Sequence, residues 1–190
     1  LNILLDIGIT NFNNRNISQN QQLLRKHFSN IMVLRMLLGV GYFIISLTLA
    51  WIWNYNWDQL KLLVFLVFNQ FMLSLILYLR SNLAGLQLFK TDSIISVLDR
   101  LLMIVICSFL LWGHVTDTPF KIKWFVFAQT AAYSITAAIS FLLVLLHTGK
   151  IHFKFEPQFS LAILKKSYPY AILILLMGLY NRIDSVMLER

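Results

Sequence analysis

Cysteine and charge are both scarce in this sequence of 190 residues. Its one cysteine, Cys107, cannot form a disulfide within the chain, and a lone cysteine without a ligand cluster argues against a structural metal site. Only 13% of the residues are charged, against roughly 25% in soluble domains. The hydrophobic share is 58% and the mean hydropathy is +0.71. These values exclude an ordinary soluble domain and predict an all-α fold, a polytopic membrane helix bundle.

Catalytic motifs are lacking as well. The four histidines lie in loops or at the ends of apolar segments, and none has a carboxylate at metal-ligand spacing. The chain contains no H-E-x-x-H, no G-x-S-x-G and no Gly-rich phosphate loop. Its net charge of +8 comes from Lys and Arg residues that stand singly at segment ends, which does not suit a nucleic-acid surface. We therefore expect no enzyme, no metal, no cofactor and no nucleic-acid partner.

Long apolar runs make up most of the chain. Four complete spans are predicted, over residues 31–53, 60–79, 94–113 and 124–146. Residues 1–17 are interpreted as the tail of an earlier span, and residues 18–30 as an interfacial turn or a short amphipathic helix. Pro169 is expected to open the last helix, where its missing N–H costs nothing. The apolar pattern is cut at both Leu1 and Arg190, which indicates a fragment.

Basic residues and tryptophans mark opposite ends of the spans. The loops around residues 10–30, 80–100 and 148–168 hold ten Lys and Arg residues, and the alternate loops hold three. Cytoplasmic loops carry the excess of Lys and Arg, so the first set is predicted to be cytoplasmic. All five tryptophans lie at the other ends, as an outer aromatic belt would.

Ionisable residues inside spans are functional candidates, because each costs several kcal/mol unless it is paired or hydrated. Arg35 lies about one turn inside its span and is expected to snorkel to the headgroups as an anchor. Asp99 and Arg100 point about 100° apart and are expected to pair with neighbouring helices, in a structural or gating role. The polar stripes of Gln70 and Gln129 fit either packing between helices or the lining of a cavity.

Two helical segments are richer in polar residues than the others. Near the start, Asp6, Thr10 and Asn13 share a face with Asn2, and Arg15 lies on the opposite side. The last segment begins apolar on all sides and ends with one polar arc, which contains Gly178, Asn181, Arg182, Asp184, Ser185 and Glu189. A helix of this kind is expected to line a polar cavity within a membrane protein. For both segments the residues alone leave a functional and a structural role open.

Three stretches, in their order and spacing, match the pattern of a transporter family. They are Asp6-Ile7-Gly8-Ile9 with Arg15 and Asn16 downstream, Gly85 to Ile104, and Tyr168-Pro169-Tyr170 followed by Tyr180 to Asp184 and Met187-Leu188. Together they resemble the polysaccharide-transporter (Wzx-like oligosaccharide flippase) branch of the multidrug/oligosaccharidyl-lipid/polysaccharide superfamily. The resemblance implies two six-helix lobes. Residues 1–147 would form a partial N-terminal lobe, residues 148–168 a cytoplasmic linker, and residues 169–190 the first helix of the C-terminal lobe.

The resemblance also implies a function. Such a protein would move a lipid-linked (undecaprenyl-pyrophosphate) oligosaccharide or polysaccharide repeat unit across the bacterial inner membrane by alternating access. Its partners would be that substrate, membrane lipids and glycan-assembly enzymes. Arginine binds phosphate bidentately, and amide side chains bond sugar hydroxyls. The candidate cavity residues are Arg182, Arg15, Asn181, Asp6, Asn13, Gln70 and Gln129. Asp6 and Asp184 are candidates for coupling to H⁺ or Na⁺.

Three alternatives stay open at this stage. A cation-coupled multidrug exporter of the same superfamily would have an acidic, aromatic cavity rather than a basic one. A membrane-embedded glycan polymerase or ligase would need catalytic residues on a large outer loop, and the predicted outer loops at residues 54–59 and 114–119 are short. A relative that does not transport and acts through interactions alone also fits the sequence.

Overall fold

The structure is a bundle of α-helices, seen in a computed structural model that describes residues 5–6, 8–20, 23–112, 122–148 and 157–188. In this part of the chain there are six helices and no strand. The helices are α1 (Ile9–Gln19), α2 (Leu23–Ile52), α3 (Trp57–Gly85), α4 (Phe89–Trp112), α5 (Ile122–Thr148) and α6 (Pro157–Leu188). All but α1 are long and apolar enough to cross a membrane. The predicted all-α membrane helix bundle is confirmed, and the chain is a multi-pass membrane protein.

Helices are the form that these apolar runs must take, because hydrocarbon offers no hydrogen-bonding partner for an open backbone. Polar residues mark the turns between them. The side-chain oxygen of Gln59 accepts a hydrogen bond of 3.0 Å from the backbone N–H of Asn56, in a capping box at the start of α3. At the end of α2, Asn54 adopts a left-handed φ of 49° in a turn that leads directly to α3. The α2–α3 hairpin is therefore tight.

The helix ends differ most from the sequence prediction at three places. Residues 18–30 were expected to form a turn or a short helix, but α2 begins at Leu23 and runs unbroken to Ile52. Helix α3 continues past residue 79 to Gly85. Helix α6 begins at Pro157, so Pro169 lies inside it and does not open it. Hydropathy marks only the part of a helix that lies in hydrocarbon, whereas the polar ends can continue the helix into the headgroup region. The division into lobe, linker and second lobe stays a prediction.

Helix α3 is the centre of the described bundle and packs against α1, α2, α4 and α5. The main buried cluster lies around the end of α3 that carries Tyr78, Leu79 and Leu83, where it meets Phe28 of α2 and Val144 of α5. These are the ends of the spans that carry the basic loops. Toward the tryptophan-bearing ends, residues 57–66 of α3 are mostly exposed or half-buried. The bundle is thus closely packed at its basic end and open toward the other.

Glycine allows helix α1 to approach its neighbours closely. Gly8 precedes α1 with φ at +72°, and a Cβ there would lie 2.6 Å from the backbone nitrogen of Ala171 on α6. A Cβ on Gly85 would lie 2.8 Å from the Cβ of Ile17 on α1. Real Cβ atoms essentially never lie within 3.0 Å of such a neighbouring atom, so both close approaches require glycine.

We expect Gly85→Ala to destabilise the protein, because the added methyl group overlaps a β-branched side chain that cannot turn away. Overpacking of this kind typically costs about 1–3 kcal/mol. The matched control is Gly41→Ala on α2, where an added Cβ meets nothing within 4 Å. That change should leave stability equal or higher, since alanine favours helix over glycine. Thermal unfolding of the two purified variants in detergent measures the difference, and equal melting temperatures would contradict the close approach of α1 and α3.

Candidate functional site

The most highly connected polar group in the described bundle is the guanidinium of Arg35, within the apolar part of α2. Its Nη1 donates hydrogen bonds of 2.7 Å to the backbone carbonyl and to the hydroxyl of Ser74 on α3. Its Nη2 donates to the carboxylate of Asp6 and, at 2.6 Å, to the hydroxyl of Thr10. The guanidinium carbon also lies 4.9 Å from the centre of the Tyr78 ring. These contacts tie α1 and the segment before it to α2 and α3.

The prediction that Arg35 snorkels to the headgroups is wrong. Its side chain is 2% exposed and turns into the bundle. An arginine in hydrocarbon needs either water or compensating partners, and here the protein supplies an anion, a carbonyl and two hydroxyls. Asp6 lies 29 residues away in sequence, so no local pattern could reveal the pair.

Asp6 lies in the wall of a cavity of about 320 Å³ between α1, α3 and α6, which we name the Asp6 cavity. Thr10 and Ser74, the other partners of Arg35, line it as well. The guanidinium therefore lies directly behind this wall. Asp6 is the one ionisable side chain among the described residues that line the cavity, and its side chain is 22% exposed. The Asp6 carboxylate therefore lines the cavity while its negative charge is balanced by the guanidinium of Arg35.

A second cavity, of about 480 Å³, lies between α2, α3 and α5, and we name it the Gln129 cavity. Its polar lining consists of Tyr42, Ser46, Asn69, Gln70, Gln129 and Tyr133. Trp53 and Tyr55 line it as well, at the tryptophan-bearing end of α2. None of the described residues that line it is Asp, Glu, Lys, Arg or His. The wall is therefore uncharged, with amides and aromatic rings set among aliphatic side chains.

Hydrogen bonds order the amide groups of the Gln129 cavity. The amide nitrogen of Asn69 donates to the Gln129 side-chain oxygen at 3.4 Å, and the Gln129 nitrogen lies 3.2 Å from the Tyr133 hydroxyl oxygen. The two cavities share Gln70 and Leu73 in their walls. They form neighbouring polar spaces on one side of α3.

The predicted site residues fall into different places. Gln70 lines both cavities and Gln129 lines the larger one. Asn13 is buried away from both, and its amide nitrogen donates to Ser81 at 3.1 Å and to Asn82 at 2.8 Å, which joins α1 to α3. Arg15 is exposed on α1 and donates a hydrogen bond of 2.9 Å to the Tyr170 hydroxyl of α6. The structure therefore places Asp6, Gln70 and Gln129 in the walls of two adjoining cavities, with Gln70 shared, and leaves Asn13 and Arg15 outside both.

The remaining candidates stay predictions. The Asp99 carboxylate accepts a hydrogen bond of 2.8 Å from the backbone N–H of Arg100, and the described helices supply no ion-pair partner for either side chain. Asn181, Arg182 and Asp184 belong to α6, but their side chains lie outside the described part of the structure.

Several residues that line the two cavities are not among the residues predicted from the sequence. Ser74 and Tyr133 each follow a predicted residue, Gln70 and Gln129, by four positions, so the helical period places them on the same polar stripes. Tyr42 and Ser46 share a helix face at i and i+4, a signal that is present in α2. Asn69 carries no periodic signal. Its cavity-facing position follows only from the way α3 packs against α5.

The arrangement suits hydrogen bonding to an uncharged polar ligand. Amides and phenol hydroxyls can donate and accept hydrogen bonds, and the aromatic rings offer flat apolar faces. The one carboxylate in either described wall, that of Asp6, is bonded to Arg35. No group of three or more His, Cys, Asp or Glu residues that could hold a metal occurs among the described residues.

Comparison with known proteins gives one match. A family model described as "Polysaccharide biosynthesis protein" matches residues 1–190. No curated protein matches the chain, and no solved structure does.

We expect Asp6→Asn to destabilise the protein by about 3–5 kcal/mol, because it leaves the buried Arg35 charge without its anion. The double variant Asp6→Asn/Arg35→Gln should recover much of this loss, since both charges are then gone. Asp58→Asn is the matched control, because the Asp58–Lys123 pair is exposed and exposed pairs contribute about 0–1 kcal/mol. Unfolding of the purified variants by a denaturing detergent measures all three. Equal losses for Asp6→Asn and Asp58→Asn would contradict a buried ion pair.

Proposed function

The chain belongs to the polysaccharide biosynthesis protein family, which its match over residues 1–190 shows, and from this premise we propose that it is a flippase for a lipid-linked glycan. The substrate is an undecaprenyl-pyrophosphate-linked oligosaccharide or polysaccharide repeat unit. The membrane is the bacterial inner membrane. Residues 148–168 are the linker on its cytoplasmic side, and the last candidate span begins within them, at Ser160. Five apolar helices and the absence of a catalytic constellation in the described walls support a transport role over an enzymatic one.

The uncharged wall of the Gln129 cavity, with its amides and aromatic rings, is the observation that carries this proposal. A sugar presents hydroxyl groups around its edge and C–H groups on its faces. The amides of Asn69, Gln70 and Gln129 suit the hydroxyls, and the rings of Tyr42 and Trp53 suit the faces. In hydrocarbon a glycan head would lose its hydrogen bonds to water, so a wall of this kind lowers the barrier to crossing.

The same wall argues against the multidrug exporter. A cationic drug needs an uncompensated carboxylate in the cavity, because a lone cation in low dielectric is costly. Among the described lining residues the one carboxylate is that of Asp6, which is bonded to Arg35. A polymerase or ligase would need a large outer loop for its catalytic residues. The described outer connection between α2 and α3 is only residues 53–56, so it gives no support to such an enzyme.

The pyrophosphate of the substrate needs a cationic partner. Arg182 remains the first candidate, because it lies on the polar arc of the closing helix and its planar fork bonds phosphate bidentately. Arg15 is the second. It is exposed, and one of its donors already bonds Tyr170 of α6. An anion that draws Arg15 away would break a contact between α1 and α6.

Transport proceeds in this proposal by rocking of one lobe against the other. Helix α6 would belong to the second lobe, so its contacts with α1 would change during the cycle. These contacts are the close approach of Gly8 to Ala171, the Arg15–Tyr170 hydrogen bond and the edge-to-face packing of Phe12 on Tyr170. Asp6 can bind H⁺ or Na⁺ only in a state in which its ion pair with Arg35 is broken. Asp184 is the other candidate for ion coupling.

We expect Gln129→Leu in the full-length protein to reduce glycan export about tenfold or more, because it removes a central donor and acceptor from the head-binding wall while keeping a similar volume. Losing a hydrogen bond to a buried polar group costs about 1–3 kcal/mol, and 1.4 kcal/mol is a factor of ten. Ser134→Leu is the matched control, since Ser134 is exposed on the same helix and lies outside the cavity. Surface glycan and protein abundance in the membrane are measured together. Equal export in both variants would overturn the proposed head site.

Arg182→Ala in the full-length protein should abolish export and leave membrane insertion intact, because the phosphates lose their cationic partner. Arg182→Lys retains the positive charge but lacks the planar guanidinium that binds phosphate bidentately, so it should give intermediate export. Unchanged export in Arg182→Ala would remove this residue from the site.

A further inference from the structure

Helices α1 and α6 are held together near the basic end of the bundle by a contact around Tyr170 of α6. The Tyr170 hydroxyl accepts a hydrogen bond of 2.9 Å from Nη1 of Arg15, and its ring packs edge-to-face with the ring of Phe12, with 6.4 Å between the ring centres. Ile17, two residues further along α1, lies against Gly85 at the end of α3, which places the contact near the basic loops. We name Phe12, Arg15 and Tyr170 the Tyr170 latch.

The latch lies between the Asp6 cavity and the predicted cytoplasmic side. On α1, Asn11 lines that cavity, and Arg15 follows it one turn later, toward the basic end. On α6, Ile174 lines the cavity, and Tyr170 lies one turn before it, again toward the basic end. Parting of α1 from α6 at the latch would therefore open the Asp6 cavity toward the cytoplasm.

The latch carries positive charge without a counter-charge on the adjoining stretches of its two helices. Arg15 is exposed on α1, and Lys166 is exposed on α6, four residues before Tyr170 and therefore on the same helix face. Neither α1 nor residues 157–183 of α6 contain an Asp or a Glu. Among the described residues, no ion pair includes Arg15 or Lys166. Two such cations beside one seam favour an anionic ligand.

Tyr170 is a partner that an anion can replace. Its hydroxyl is neutral, so it satisfies one donor of Arg15 but does not balance the charge of the guanidinium. A phosphate group bonds the planar fork of an arginine bidentately, and such charge-assisted hydrogen bonds are roughly twice as strong as neutral ones. Lys166 adds a second positive charge on the same face of α6. A phosphate that reaches this seam therefore displaces Tyr170 from Arg15, and the latch loses its hydrogen bond.

We propose that Arg15 and Lys166 bind the phosphate groups of the lipid-linked substrate at the cytoplasmic face, and that this binding releases Tyr170 and parts α1 from α6. The proposal rests on the proposed function and adds to it a site of entry and a trigger of opening. Arg182 lies 16 residues beyond Lys166 on α6, about 24 Å along the helix. The pyrophosphate therefore meets Arg15 and Lys166 first, and it meets Arg182 only after the head has moved into the bundle.

The distance between spin labels on α1 and α6 tests the latch in the full-length protein. The labels are attached at Ser18→Cys and Leu161→Cys, which are exposed positions on the two helices, after the native cysteines have been replaced by serine. We expect undecaprenyl pyrophosphate in lipid nanodiscs to lengthen this distance, and phosphatidylglycerol at the same mole fraction to leave it unchanged. No change with undecaprenyl pyrophosphate, or an equal change with both lipids, would overturn the proposal.

Two matched pairs of variants separate the role of the hydrogen bond from that of the charge. Tyr170→Phe removes only the hydroxyl, so the longer distance should be at least fivefold more populated without added lipid, whereas Tyr168→Phe, at an exposed ring of the same helix, should match the parent. Lys166→Gln should raise at least fivefold the undecaprenyl pyrophosphate content that gives half of the change. Lys165→Gln is its control, because Lys165 is also exposed but lies on another face of α6. Equal effects within either pair would contradict the latch.

Glycan export distinguishes failure of the latch from failure of the flippase. Lys166→Gln should reduce export at least fivefold at unchanged protein abundance, whereas Lys165→Gln should not. Loss of export in Gln129→Leu, with no lengthening of the distance by undecaprenyl pyrophosphate, would refute the latch and keep the flippase. Lengthening by undecaprenyl pyrophosphate, together with glycan export that survives deletion of the protein, would support the latch and refute the flippase.

Discussion

The ion pair between Asp6 and Arg35 is the constraint on which the rest of the described structure depends. A single guanidinium in hydrocarbon is unstable, and it becomes acceptable only when a carboxylate, a carbonyl and hydroxyls are brought to it. Here those groups come from α3 and from α1 with the segment before it, through Asp6, Thr10 and Ser74. Satisfying one buried charge therefore sets the relative positions of three segments. The close approach of α1 to Gly85 and the buried Asn13–Asn82 hydrogen bond reinforce the same arrangement.

The polar cavities follow from how unevenly the bundle is packed. Large apolar side chains fill the basic end, where Phe28, Tyr78 and Val144 are almost completely buried. Toward the tryptophan-bearing end polar residues of α2, α3 and α5 line a cavity, and Asn69 of α3 is hydrogen-bonded to Gln129 of α5 in its wall. A membrane helix bundle gains little from closing such a space, because lipid is as apolar as its side chains. Amide and phenol groups can therefore persist there as a binding wall.

The α2–α3 pair presents two kinds of lining. The Gln129 cavity includes amides and aromatic rings, whereas apolar side chains surround Phe71. In the proposed function the tail of the substrate stays in the hydrocarbon, so the protein has to bind only the head. In the proposed function the uncharged wall leaves the phosphates to a different element, and Arg182 of the closing helix is the candidate to bind them.

Composition and hydropathy alone determined the membrane class, the all-α fold and the position of the apolar spans, because burial in lipid is a local property that each stretch of residues carries by itself. The ends of α2, α3 and α6 could not be read in this way, since polar residues continue a helix beyond the hydrocarbon. The partner of Arg35 could not be read either, because Asp6 and Ser74 lie 29 and 39 residues away. Only tertiary packing decided that Arg35 turns inward, that Asn13 bonds α3, and that Gln70 and Gln129 share one wall. Each of these depends on which helix faces meet, and that is settled by the sum of many distant contacts rather than by any one segment.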